Sequence, residues 1–153
     1  MTPRLRLQSL IAVLLTAAAP AFAQPATQTA QEAATVMEKW GLTGSWSQDC
    51  RRAPARGVAL LTYSKASDGS LIRTARTNGK PNTNQIVAAR IMADGSIEVT
   101  EKDPDDVLVF VLTKDGSGKH RSMSSRDDKG HYYIRDGKFT DDGKETSLMS
   151  RCQ

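Results

Sequence analysis

Turn-forming Asp and Gly residues recur through this chain at short, near-regular intervals, and that punctuation limits the possible folds more than any other feature. The separators are Ser67-Asp68-Gly69, Asn78-Gly79, Ala93-Asp94-Gly95, Asp103-Pro104-Asp105, Lys114-Asp115-Gly116, Asp127-Asp128-Lys129-Gly130 and Asp141-Asp142-Gly143. Asp and Gly supply the positive-φ positions that tight hairpins need. Between the separators lie short runs rich in branched and aromatic residues, at 42–48, 58–63, 70–77, 85–92, 96–100, 107–113, 119–125, 131–135 and 146–152. Eight or nine strands of this length, with no second helix of any size, predict an antiparallel up-and-down meander. Asp136-Gly137 adds a further turn before Lys138-Phe139-Thr140 and leaves the final strand count open.

The N-terminus reads as an address. Arg4 and Arg6 precede an apolar run over 10–19, and Pro20-Ala21-Phe22-Ala23 supplies small residues at the spacing of a signal-peptidase site. Residues 1–23 are therefore expected to be a secretory signal that is removed, followed by a flexible lead-in at 24–29 and a single domain over 30–153. No later stretch reaches the ~20 apolar residues of a membrane-spanning helix, so the mature chain is expected to be a periplasmic or secreted protein with no membrane span. Without Arg4 and Arg6 the 21 basic residues fall to 19 against 17 acidic ones, a net charge of about +2. The remaining charges alternate in sign, as over 121–129, which describes a solvated surface and gives no support to nucleic-acid binding.

Within the domain, Ala33, Val36, Met37 and Trp40 fall at helical spacing, and Gly41 is placed to end that helix. The segment Trp40 to Cys50 then joins the helix end, a Gly-x-Trp at Gly44-Ser45-Trp46 and one of only two cysteines. In an oxidising compartment Cys50 and Cys152 have one intramolecular pairing open to them, the alternative being two free thiols. That pairing would bring the first and last strands together, and a closed or nearly closed antiparallel barrel of about eight strands follows, since closure removes exposed sheet edges. The run Val107-Leu108-Val109-Phe110-Val111-Leu112 is apolar on both faces, so one face is expected to line the interior and the other to be covered by the N-terminal helix.

The short helix, Gly44-Ser45-Trp46 and a meander ending in Arg151-Cys152 resemble the lipocalin and wider calycin group of small exported barrels. That resemblance implies that Trp46 closes the barrel floor beneath the guanidinium of Arg151, a contact of roughly 1 kcal/mol. The arrangement Trp-Gly-Leu-Thr-Gly-Ser-Trp-x-x-Asp-Cys with a terminal Arg-Cys is also similar to a group of small periplasmic proteobacterial proteins of unassigned function. That likeness implies a periplasmic home.

Searching for chemistry gives little that points to an enzyme. There is no Gly-x-Ser-x-Gly elbow, and His120 and His131 sit in no catalytic motif and read as exposed surface imidazoles. The acidic turns lack the spacing of a calcium loop, two histidines and two cysteines offer no zinc set, and no cofactor is implied. Basic residues inside alternating rows are more informative. Arg73 shares a row with Leu71 and Ala75; Arg90 shares one with Ile86, Ala88 and Met92, although Val87, Ala89 and Ile91 make an equally good core row. If the rows point outward these are solvated charges. If they point inward, Arg73 and Arg90, with Tyr133 or Arg135, would hold the carboxylate or phosphate head of an amphipathic ligand, because an unpaired buried charge is costly. The expectation is a non-enzymatic periplasmic binding protein for a small apolar or amphipathic molecule. The alternative is a protein-binding module, a hydrolase inhibitor acting through its N-terminal segment or an envelope-assembly partner.

Overall fold

A computed structural model of the protein describes residues 28–78 and 81–153; the expected signal peptide, most of the lead-in and Gly79 of the second turn lie outside the described residues. Helix α1, Ala30–Trp40, begins in a capping box. The Thr29 hydroxyl accepts the Glu32 N–H at 3.2 Å, and Glu32 Oε2 takes the Thr29 N–H at 2.8 Å, so two orphan donors of the first turn are satisfied. At the other end Gly41 adopts φ 79°, and the Gly41 and Leu42 N–H groups reach back to Glu38 and Met37 carbonyls at 2.9 and 2.8 Å. This is the left-handed cap that glycine makes without steric penalty, and Leu42 and Met37 beside it both belong to the buried apolar cluster.

Ten strands follow: β1 Gly44–Ser47, β2 Leu60–Lys65, β3 Leu71–Arg76, β4 Asn82–Ile91, β5 Ile97–Lys102, β6 Val107–Lys114, β7 His120–Asp127, β8 Tyr132–Arg135, β9 Lys138–Phe139 and β10 Ser150–Cys152. They form one antiparallel sheet in the order β10-β1-β2-β3-β4-β5-β6-β7-β8-β9. The turns between them use the acidic residues as backbone acceptors. Asp68, Asp94 and Asp115 each take the N–H and the hydroxyl of the serine two positions on, at 2.6 to 3.0 Å.

The Cys50–Cys152 disulfide is formed, with Cα atoms 5.4 Å apart, and β10 lies beside β1 with Trp46 opposite Arg151. The sheet curls into an open half-barrel of ten strands and does not close as eight. Two features of the last quarter of the chain account for this. Asp136 and Gly137, at φ 53° and 73°, turn the chain back after only four residues of β8, and β10 is three residues long. Across the gap the chain is tied by the bridge between His120 and Met149, with hydrogen bonds of 2.7 and 3.1 Å, and by the Thr146 hydroxyl, which donates to the Ser122 carbonyl at 2.7 Å.

The apolar stripe of α1 is Ala33, Ala34, Met37 and Trp40, with Val36 half-buried beside it. It packs chiefly on β4 and joins one cluster with Leu42, Trp46, Leu71, Ile86, Ala89, Ile97, Val99, Leu112 and Met149 on the concave side. The outer valines of β6 are therefore not covered by α1, contrary to expectation, and stay half-buried. On β4 both candidate core rows are partly used. A bulge between Ile86 and Ala88 shifts the register, so that Ile86 opposite Glu101 and Ala89 opposite Val99 both face inward. Beyond the reach of β3, the Gln28 side chain takes the place of a neighbouring strand, accepting the Ala89 N–H at 2.7 Å and donating to the Ala89 carbonyl at 3.0 Å.

Candidate ligand-binding site

The concave face encloses a cavity of about 300 Å³, partly open to solvent. Alternation along β2 and β6 turns Leu61, Tyr63, Phe110 and Leu112 toward it, and Ile134 of β8 and Met149 complete the apolar wall. The polar side chains of the wall are Arg73 of β3, His120 and Ser122 of β7, and Gln48, Thr146 and Ser147 from the segments that flank β1 and β10.

Arg73 stands opposite Tyr63 across the β2–β3 ladder. Its Nε and Nη2 meet Glu101 Oε1 and Oε2 at 2.5 and 2.7 Å, and its guanidinium lies 5.3 Å from the Phe110 ring centre. Glu101, 1% exposed, also receives a 3.3 Å bond from Asn84 Nδ2. The carboxylate and the guanidinium thus neutralise each other in a fork geometry, which is the arrangement that lets a buried charge persist. Burial pushes the Tyr63 phenol well above its ordinary value, the Arg73 charge opposing and the Glu101 charge adding, so the hydroxyl stays neutral.

His120 opens β7 and is 1% exposed. Its ring sits 4.4 Å from that of Trp46 in an edge-on contact and 6.2 Å from that of Trp40. Neither Nδ1 nor Nε2 has a hydrogen-bond partner among the described residues. Burial, and then the cation of Lys114 opposite it on β6, lower its pKa to about 4, so the imidazole is neutral at pH 7. Lys114 itself lies over the Trp40 ring, 4.1 Å from its centre, and donates to the Trp40 carbonyl. Burial and the neighbouring Arg151 charge lower the Lys114 pKa as well. The expectation of two exposed imidazoles fails at His120 and holds at His131, which is exposed and packs edge-on against Tyr133 at 4.8 Å.

The four residues singled out in the sequence are not brought together. Arg73 lines the cavity with its charge already paired. Arg90 is on the outer face beyond the β4 bulge, its side chain 67% exposed and bonded to Glu98 at 2.8 Å. Arg135 is exposed and stacks over Tyr132, 4.3 Å from the ring centre. Tyr133 is 43% exposed and borders a second groove with His131, Phe139 and Asp141, of which Phe139 also lines the cavity. Trp46 is buried as expected, but what covers its ring is His120, while Arg151 spans the bare Cα of Gly44 to donate to the Thr43 carbonyl at 2.9 Å.

Sequence reasoning missed Glu101 and His120. Glu101 had a signal, since it falls in the alternating row Ile97, Val99, Glu101 and marks an inward acid in need of a cation. His120 was disguised by the charged Lys119 and Arg121 on either side, both on the opposite face of the strand.

Among the described residues no group of three His, Cys, Asp or Glu side chains gathers as a metal site, and no helix is long and apolar enough to cross a membrane. No protein-family model, curated protein or solved structure matches the chain. What the fold and site define is a class by shape: a curled antiparallel half-barrel, compatible with a calycin-like fold, with an apolar cavity on its concave side.

Proposed function

We propose that this chain is an exported, non-enzymatic binding module of lipocalin-like design that takes a small apolar or amphipathic molecule into its concave cavity. The observation that carries the reading is the cavity itself. About 300 Å³ lies at the small end of the range for ligand sites, and a mostly apolar wall with a few convergent polar groups is their usual chemistry. Export is supported by the disulfide, which persists in oxidising compartments, and by the apolar N-terminal run after Arg4 and Arg6. The rival reading, an N-terminal segment entering a hydrolase cleft, is weakened at its last two residues: Gln28 is held on β4 and Thr29 caps α1.

Native mass spectrometry of protein purified from its own host tests the proposal, paired with titration of an apolar fluorescent dye. A co-purifying small molecule lost on denaturation, or dye uptake saturating at one site per chain, is the expected result. A bare chain that takes up no dye would remove the proposal.

A further inference from the structure

One polar group in the cavity wall has no hydrogen-bond partner among the described residues. Buried polar atoms in native proteins are almost always hydrogen-bonded, and leaving one unpaired costs about 1–3 kcal/mol. His120 carries two such atoms on one ring, both closed to water, and the residue is among those that line the cavity, so an occupant reaches the ring by a small shift of the wall. We infer that His120 is the hydrogen-bonding anchor of the site, fixing the hydroxyl group of a small uncharged molecule whose ring or short chain lies against Leu61, Phe110, Leu112 and Ile134. This rests on the reading of the cavity as a binding site and adds the chemical class of its occupant.

Three observations favour a hydroxyl over an anionic head. The cation in the wall, Arg73, has its fork already bonded at two points to Glu101, so it offers no free charge to a carboxylate or phosphate. Lys114, opposite His120 across the β6–β7 ladder, is turned onto the Trp40 carbonyl and ring. The imidazole is neutral, with one N–H to give and one bare nitrogen to receive. A hydroxyl both donates and accepts, and so pairs with either tautomer, whereas a carboxylate only accepts. Ser122, on the same strand, donates its hydroxyl to the Ser124 carbonyl at 3.1 Å and leaves its oxygen as a further acceptor in the wall. The size also fits: an apolar cavity of roughly 150 Å³ holds a benzene ring, so about 300 Å³ accommodates a substituted phenol or a short alcohol.

The test compares three probes of one shape, ethylbenzene, 4-ethylphenol and 4-ethylbenzoate, by calorimetric titration at pH 7 into the disulfide-intact protein. The expected result is that 4-ethylphenol binds about tenfold more tightly than ethylbenzene, the effect of one net buried hydrogen bond, and that 4-ethylbenzoate is the weakest. In His120→Leu the phenol advantage collapses while ethylbenzene binding stays within about threefold. In His120→Gln, which retains a donor and an acceptor, part of the advantage returns. A readout in the unmutated protein is independent of folding in the variants: 4-ethylphenol, but not ethylbenzene, shifts the imidazole ¹⁵N resonances of His120. Equal affinity for ethylbenzene and 4-ethylphenol would overturn the anchor while leaving the cavity as a binding site. Tightest binding of 4-ethylbenzoate would overturn it in favour of a cationic site. Failure of all three probes would overturn both readings.

Discussion

Acid should weaken this protein through His120 in a way that a single substitution exposes. The imidazole titrates at about 4 in the native state against an ordinary value of 6.5. Because the folded value is the lower one, the unfolded chain binds the proton first, and protonation favours unfolding. The stability linked to this group is therefore fully present above pH 6.5, declines as the pH falls, and is gone below about pH 4. The difference between 6.5 and about 4 corresponds to roughly 3 kcal/mol, a large share of what holds a domain of this size together. The groups facing the ring do not offset this. Lys114, opposite it on β6, adds repulsion, Arg151 beside Lys114 is also positive, and Trp40 and Trp46 hold it in an apolar sandwich. Urea denaturation followed by tryptophan fluorescence between pH 7 and pH 4 measures the effect. The turn aspartates, whose carboxyl groups are held below their usual range by the serines they bind, contribute to acid lability in any variant. The informative quantity is thus the difference between the protein and His120→Leu. The unmutated chain should lose roughly 3 kcal/mol more than the variant over that range, and parallel stability curves would refute the placement of a neutral, solvent-excluded imidazole at this position.

Three further outcomes follow from particular contacts. Arg73→Met strands the buried Glu101 carboxylate with Asn84 alone and should lower stability by about 3–5 kcal/mol, while Arg73→Met combined with Glu101→Leu should recover most of it; a neutral single variant in urea denaturation would show that the pair is not buried. Opening the Cys50–Cys152 bridge, which spans 102 positions, by replacing both cysteines with serine should reduce stability by about 2–5 kcal/mol, read as a lower urea midpoint in the variant. Gly44→Ala places a Cβ 3.3 Å from the Arg151 guanidinium at a backbone φ of 120°, and should lower the thermal midpoint by an amount corresponding to about 1–3 kcal/mol; an unchanged midpoint would mean that Arg151 does not lie across that Cα.

Much of the architecture was legible because it rests on local chemistry. The helix Ala30–Trp40 matches its apolar spacing and its Gly41 stop, and the Asp-Gly turns mark the hairpins because their geometry is set within four residues. What could not be read was set by partners distant in sequence. Whether Arg90 or Ala89 faced inward depended on a bulge in β4, and a register shift of one residue exchanges the two faces of a strand. Closure was inferred from the cysteines, which do bring β10 to β1, but how far the other end of the sheet curls depends on the truncation of β8 at Asp136-Gly137. The site was harder still. His120 is buried because Trp40, Trp46 and Met149 converge on it from three separate segments, and its immediate neighbours, Lys119 and Arg121, suggested solvent. Arg73 and Glu101 lie on strands that are not neighbours in the sheet, and their side chains meet across its concave face.

The most direct test of the account is to saturate the isotopically labelled protein with ethylbenzene and follow its amide and methyl resonances. Occupancy of the concave cavity predicts shifts centred on Leu61, Tyr63, Phe110, Leu112, Ile134 and Met149, the residues of its wall. An unperturbed spectrum, or shifts confined to the exposed Tyr133 and Leu148, would contradict it.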